Sequence, residues 1–210
     1  MTTEPTWHHL YQGALRRDLT RGDFLYNHRA AIALLDSGGD SPSGEEAKLA
    51  QSVAQKLATA GFVTLASGQS ALLGPMNKGV QAGKGELVLA VGPSDKVPGK
   101  VKTIESKTAM GRLETILRVA DAIVVLSGGL GSLAVLFEVW GYGSSSSRPF
   151  RPLILVGPSW AKGIDALKGA GWIGETEAAM VSLVANAEEA VEALRYYVPA
   201  KEDGDGRHPA

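Results

Sequence analysis

Six short apolar runs, rich in Val, Ile and Leu and separated by segments of helical periodicity, constrain this chain more than any other feature. They are AAIALL at 30–35, FVTLA at 62–66, ELVLAV at 86–91, DAIVVL at 121–126, PLILV at 152–156 and VSLVA at 181–185. Within each run the apolarity is continuous rather than alternating, so each strand must be covered on both faces, the condition of a parallel sheet flanked by helices. The segments between them carry helix boundary signals. Ser43 and Glu46 make an S-x-x-E capping box, Leu49, Val53 and Leu57 follow at i, i+4 and i+8, and Gly61 supplies the stop. Asn186 with Glu188 and Glu189 opens a last helix, with Val191 and Leu194 on one side. The order βαβαβ…βαβαβ predicts an α/β fold: a Rossmann-like, doubly wound parallel sheet with helices on both faces and ligands beyond the carboxyl ends of its strands.

A length of 210 residues with 44% hydrophobic content suits one core, and we expect one nucleotide-binding domain over residues 30–198. Residues 1–29 read as a partly helical extension, with Trp7, Leu10, Tyr11 and Leu15 able to pack on the domain edge or on a partner subunit. Residues 199–210 read as a disordered polar tail and GYGSSSSRPF at 141–150 as a flexible loop.

Several function classes drop out on composition. A net charge of −1 with no basic run argues against nucleic acid or an anionic membrane as partner. The chain has no cysteine, which removes disulfides, thiolate catalysis and cysteine-ligated zinc and fits a reducing cytosol. His8 and His9 are adjacent and point apart, His28 stands alone and His208 lies in the tail, so we expect no metal site. No run reaches the ~18 residues that span a bilayer and the start lacks a signal-peptide pattern, so the expected location is cytoplasmic.

The segment VVLSGGLGSLAVLFE at 124–138 joins an apolar strand to a helix through a glycine turn. Gly128, Gly129 and Gly131 permit close approach of a ligand to the backbone, and the unpaired N–H groups of the first helical turn suit a phosphate. Ser127 and Ser132 can add hydroxyl donors; the alternative is a tight turn followed by an N-cap serine. Gly129, Gly131 and Ala134 also fit G-x-G-x-x-A. That fingerprint belongs to a first strand, with an acid ending the next one. Here it follows a fourth or fifth strand and the next ends Val156-Gly157-Pro158, so we expect no nicotinamide or flavin and no other cofactor. No G-K-[ST] follows, which excludes a Walker A loop. A second strand-to-helix loop, with Ser67 and Gly68 flanked by Gln69 and Ser70, opens on the same sheet edge and could grip the other end of a nucleotide.

Taken together, these motifs resemble the LONELY GUY (LOG) family, the cytokinin riboside 5'-monophosphate phosphoribohydrolases long labelled lysine decarboxylases. The resemblance runs from about residue 30 to 197 and rests on LATAGFVTLASG, Asn77-Lys78-Gly79, Ala82-Gly83-Lys84 and Met110-Gly111-Arg112, with Asp121 nine residues after Arg112. The family signature P-G-G-x-G-T-x-x-E falls on Ser127 to Val135, and LFEV, PLILVG with Trp160 downstream, and VANAEEAVEAL lie in register with later family segments.

Three departures stand out. The signature proline is Ser127, the first glycine loop is reduced to Ser67-Gly68-Gln69-Ser70-Ala71, and the signature glutamate, which the family uses catalytically with the arginine, is Val135. Cleaving an N-glycosidic bond develops positive charge on the ribose that a carboxylate stabilises, and general acid–base help is worth about 10² to 10⁴ in rate. Valine supplies neither. Glu138, three residues on, shares that helix face about 5 Å further from the turn, and Glu114 faces away from Arg112 if its segment is helical.

The resemblance therefore implies either of two activities on a nucleoside 5'-monophosphate or a related phosphorylated small molecule. One is hydrolysis to free base and ribose 5-phosphate, with Arg112 and Glu138 as the catalytic candidates. The other is recognition without cleavage, with Arg112 contacting phosphate or base. A structural subunit of an active paralogue is the third reading. The family also implies a homodimer whose sites are completed across the interface.

Overall fold

The computed structural model describes residues 29–36, 42–95, 97, 101–108, 111–144 and 151–198, excepting the side chains of 142–144. The expectations for the extension, the histidines, Met110 and the tail fall outside these residues. Seven strands form one sheet: β1 (Ala31–Leu35), β2 (Val63–Ser67), β3 (Glu86–Val91), β4 (Lys102–Glu105), β5 (Ala122–Leu126), β6 (Leu153–Val156) and β7 (Val181–Val184). Their order is β4-β3-β2-β1-β5-β6-β7 and every pairing is parallel. Around it lie α1 (Gly44–Thr59), α2 (Leu73–Ala82), α3 (Gly111–Val119), α4 (Leu130–Ser144), α5 (Ser159–Gly169), α6 (Glu175–Ala178) and α7 (Ala187–Tyr197).

The continuous apolarity of the strands is divided between two cores, because successive side chains on a strand point to opposite faces. Ile32 and Leu34 of β1, with Val124 and Leu126 of β5, pack under Val53 and Leu57 of α1, Met76 of α2 and Leu194 of α7. Ala33 and Leu35, with Ile123 and Val125, pack under Ile116 of α3, Leu136 and Trp140 of α4 and Trp160 of α5. This is the doubly wound, Rossmann-like arrangement. All six expected strands lie within one residue of their apolar runs at each end.

Two elements depart from expectation. Strand β4, KTIE, is largely exposed at the sheet edge, so its sequence has no apolar run to betray it. Helix α4 continues through Gly141 to Ser144, where the sequence reads as a flexible loop from 141; the backbone ladder carries past the glycine.

Local capping follows the sequence. Ser43 Oγ accepts from Glu46 N at 3.2 Å while Glu46 Oε2 accepts from Ser43 N at 2.6 Å, and Asn186 Oδ1 accepts from Glu189 N at 3.0 Å. Gly61, after α1, adopts φ +86°, the left-handed turn that glycine enters without strain.

Candidate functional site

The strand order fixes where a ligand can lie. The chain runs outward from β1 to β4, crosses back through α3 and enters β5 on the other side of β1, so the strand order reverses between β1 and β5, the switch point at whose carboxyl edge doubly wound sheets have their ligand crevice.

On the β5 side of this crevice, Ser127, Gly128 and Gly129 link the strand to α4, while Gly131 and Ser132 fall inside the first helical turn. Gly128 and Gly129 are exposed, and a Cβ built on Gly129 would meet nothing within 4 Å. The turn is open on its outer side, and the amides of a fifteen-residue helix begin directly behind it.

The two serines have different surroundings. Ser127 N donates to Val156 O at 2.8 Å, and its side chain lies against Gly157: a Cβ on that glycine would sit 2.1 Å from Ser127 Oγ. Ser132 is not the N-cap. It is fully buried at the third position of α4, and its Oγ has no hydrogen-bond partner among the described residues.

Val135 is half-buried and packs on the second core, whereas Glu138 is exposed on the same helix. Glu114, on α3, is also exposed.

Next to β5, the end of β1 carries Asp36, 9% exposed, whose Oδ2 accepts from Leu72 N at 3.3 Å at the start of α2. At the end of β2, Gly68 N donates to Ala90 O at 2.8 Å, and Ser67 Oγ accepts from Gln69 N at 3.3 Å. A Cβ on Gly68 would fall 3.0 Å from Val91 Cγ1 and 3.3 Å from Asp95 Oδ2, so the glycine is what lets the β2 and β3 loops approach.

Asp95 is the centre of this second half. Its side chain is only 2% exposed, yet its carboxylate accepts from Gly92 N at 2.7 Å, from Gln69 Nε2 at 2.9 Å and from Arg112 Nη1 at 3.1 and 3.2 Å. One carboxylate thus joins the β2 loop, the β3 loop and the first turn of α3. Asp36 and Asp95 were not singled out from sequence; the available signal is an acid placed at or just past the end of a buried apolar run.

Other matched motif positions have packing roles. A Cβ on Gly79 would lie 2.2 Å from Gln51 O, and one on Gly83 2.6 Å from Ala58 Cβ, so the Asn77-Lys78-Gly79 and Ala82-Gly83-Lys84 segments seat α2 against α1. Asp121 lies at the amino end of β5, where its Oδ2 accepts from Ala31 N at 2.8 Å. The nine-residue interval from Arg112 is the length of α3 carrying the chain from one sheet edge to the other.

A shallow groove of roughly 540 Å³ lies at the opposite, amino edge, lined by Arg29, Asn77, Lys84, Glu86 and Lys102 among others. Burial pushes the Glu86 carboxyl up, but hydrogen bonds from Lys102 and Arg29 outweigh it and hold the group below its usual range. Among the described residues this edge has no glycine-turn helix start, and it lies away from the crevice. Among the described residues no group of three or more His, Cys, Asp or Glu could hold a metal ion, and no helix is long and apolar enough to cross a membrane.

Sheet order, crevice and glycine turn define a Rossmann-like α/β protein with its candidate site at the topological switch point. Residues 63–194 match the family described as "Possible lysine decarboxylase", and the chain belongs to that family, the LOG family of the sequence resemblance. A search of the curated proteins finds no match. The fold is similar to that of the molybdenum cofactor binding protein from the phototrophic bacterium Rippkaea orientalis, with 16% identity and a TM-score of 0.64 over 81% of this chain and 98% of that one. It is also similar to the molybdenum cofactor carrier protein from Chlamydomonas reinhardtii, at 16% identity and TM-score 0.63 over 81% and 98% of the two chains. A structural-genomics target, TM1055, matches at 19% identity and TM-score 0.63 over 80% and 99%.

Proposed function

We propose that this chain binds a nucleoside 5'-monophosphate, or a related phosphorylated small molecule, at the switch point and releases it intact. The phosphate lies on the Ser127–Ser132 turn, held by the amides of α4 and by the helix dipole, a favourable term of roughly 0.3 to 2 kcal/mol. The observation that carries the reading is Val135: an isopropyl group packed on the second core stands where the family signature has its glutamate, and the next acid on the helix, Glu138, faces solvent. The buried Ser132 hydroxyl beside the turn has no partner among the described residues, an unmet polar group that costs about 1–3 kcal/mol. Two proteins of similar fold are a molybdenum cofactor binding protein and a molybdenum cofactor carrier protein, which supports carriage rather than hydrolysis as the mode of use and adds that cofactor to the ligands worth testing.

The test is incubation of the wild-type chain with a panel of nucleoside 5'-monophosphates, followed for binding and for free base. Binding without base release is expected. Base release by the wild type that Arg112→Ala abolishes would overturn the binding-only reading in favour of a hydrolase, and release gained by Val135→Glu would locate the lost step.

The chain also acts as a homodimer in this proposal. Leu130 is 80% exposed and Phe137 42% exposed on α4, a helix apolar around most of its circumference, and a second copy covers that face. Light scattering with a size-exclusion column gives the check: a monomer at micromolar concentration ends this part of the proposal.

A further inference from the structure

The cluster of Gln69, Asp95 and Arg112 has the chemistry of a reader rather than of an anion clamp. Arg112 is matched in charge by Asp95, and Gln69 is neutral, so the cluster carries no surplus positive charge for a phosphate. Both bonds that fix the guanidinium leave from Nη1, so Nη2 and Nε have no hydrogen-bond partner among the described residues. In the same way Gln69 spends its Nε2 on Asp95 and keeps its carbonyl oxygen available. The cluster therefore presents donors and an acceptor side by side, on groups whose orientation is fixed by a carboxylate that is only 2% exposed.

Its position complements that chemistry. Asp95 follows β3, and β2 and β1 separate β3 from β5, so the two strand axes stand about 14 Å apart at the usual spacing between neighbours. A phosphate on the β5 turn therefore lies on the other side of β1 from this cluster, and a nucleotide-sized ligand laid across the strand ends would bring its far end to Arg112.

We propose that Gln69, Asp95 and Arg112 form a head-group reader for the neutral, hydrogen-bonding heterocycle of the bound monophosphate. Gln69 and Arg112 contact its edge, and Asp95 is a positioning residue that acts through them. This rests on the phosphate reading of the Ser127–Ser132 turn. Specificity then resides at β2, β3 and α3, and general affinity for phosphate esters at β5 and α4.

The test is calorimetric titration of the full chain with AMP, GMP, CMP and ribose 5-phosphate, repeated for Arg112→Ala, Asp95→Asn and Gln69→Ala, each with its urea midpoint measured. In the wild type at least one nucleotide should bind about tenfold or more tighter than ribose 5-phosphate, since the sugar phosphate lacks the group being read. Arg112→Ala and Asp95→Asn should each remove about that tenfold advantage while changing ribose 5-phosphate affinity by less than about twofold. Gln69→Ala, which leaves the Arg112–Asp95 pair in place, should lower nucleotide affinity alone and so covers the case in which Asp95→Asn fails to fold.

Equal losses for nucleotide and ribose 5-phosphate overturn the proposal, because Arg112 then serves the phosphate. Nucleotides binding no tighter than ribose 5-phosphate, or variants without effect, overturn it too; in each of these outcomes the phosphate reading stands. A wild type that binds none of the four probes overturns the phosphate reading itself, and this proposal with it.

Discussion

Gly157 and Ser127 are fitted to each other: a Cβ on the glycine would lie 2.1 Å from Ser127 Oγ and 2.7 Å from Ser127 Cβ, and the glycine holds φ at +125°. The serine that replaces the signature proline is thus accommodated by the β6 loop. Gly157→Ala should cost about 1–3 kcal/mol from crowding and backbone strain. Ser127→Gly in the same chain should recover the crowding part but not the strain. Urea unfolding of the two single variants and the double variant measures this coupling, and additive costs would mean that the two residues do not meet.

Gly79→Ala tests a different contact. Its Cβ would fall 2.2 Å from Gln51 O and 2.9 Å from Gln55 N, both backbone atoms of α1, which cannot swing aside as a side chain can. We expect about 2 kcal/mol or more of destabilisation, with the affinity of the folded fraction for its ligand unchanged. The pair of measurements separates a packing glycine from a binding one.

At the start of α1, Ser43→Ala removes one of the two bonds of the capping box and leaves Glu46 N without its side-chain acceptor. A loss of about 1 kcal/mol is expected in thermal or urea unfolding.

Glu86 gives a pH dependence of definite sign. Burial raises its pKa, but the bonds from Lys102 and Arg29 bring it below the ordinary 4.5. A carboxylate depressed in the folded state contributes stability that is fully present above 4.5 and is lost as pH falls through the lowered value. Glu86→Gln should therefore show a shallower fall in urea midpoint on acidification, while wild type and variant keep a constant difference near neutral pH. An identical acid limb in both proteins would assign the acid sensitivity elsewhere.

The fold was legible because buried parallel strands leave an unbroken apolar trace, and all six such traces are strands. Strand β4 left none: KTIE is largely exposed on the edge of the sheet, and only Ile104 of its four residues packs on a core. The glycine turn was equally plain, being a local feature between a strand and a helix. The Asp95 cluster was not, because Gln69, Asp95 and Arg112 are far apart in sequence and meet only when β2, β3 and α3 are assembled. Spacing also misled at Asp121: a fixed interval from Arg112 reflects the length of a helix, and the two residues end at opposite edges of the sheet.

The β1–β5 seam has a bearing on the order in which this protein is made. Ala31 bonds to Asp121 across 90 positions of chain, so the strands flanking the crevice cannot join until everything between them has been synthesised. Strands β1 to β4 pair with near neighbours and can organise first, whereas the β5 half must close a long loop at an entropic cost. On a ribosome adding about 5–20 residues per second, the partial sheet waits several seconds with the β1 side exposed where β5 will dock. The crevice therefore forms only after the β1–β4 half has been made, and a ligand that bridges the seam would act on the newborn chain as a clasp.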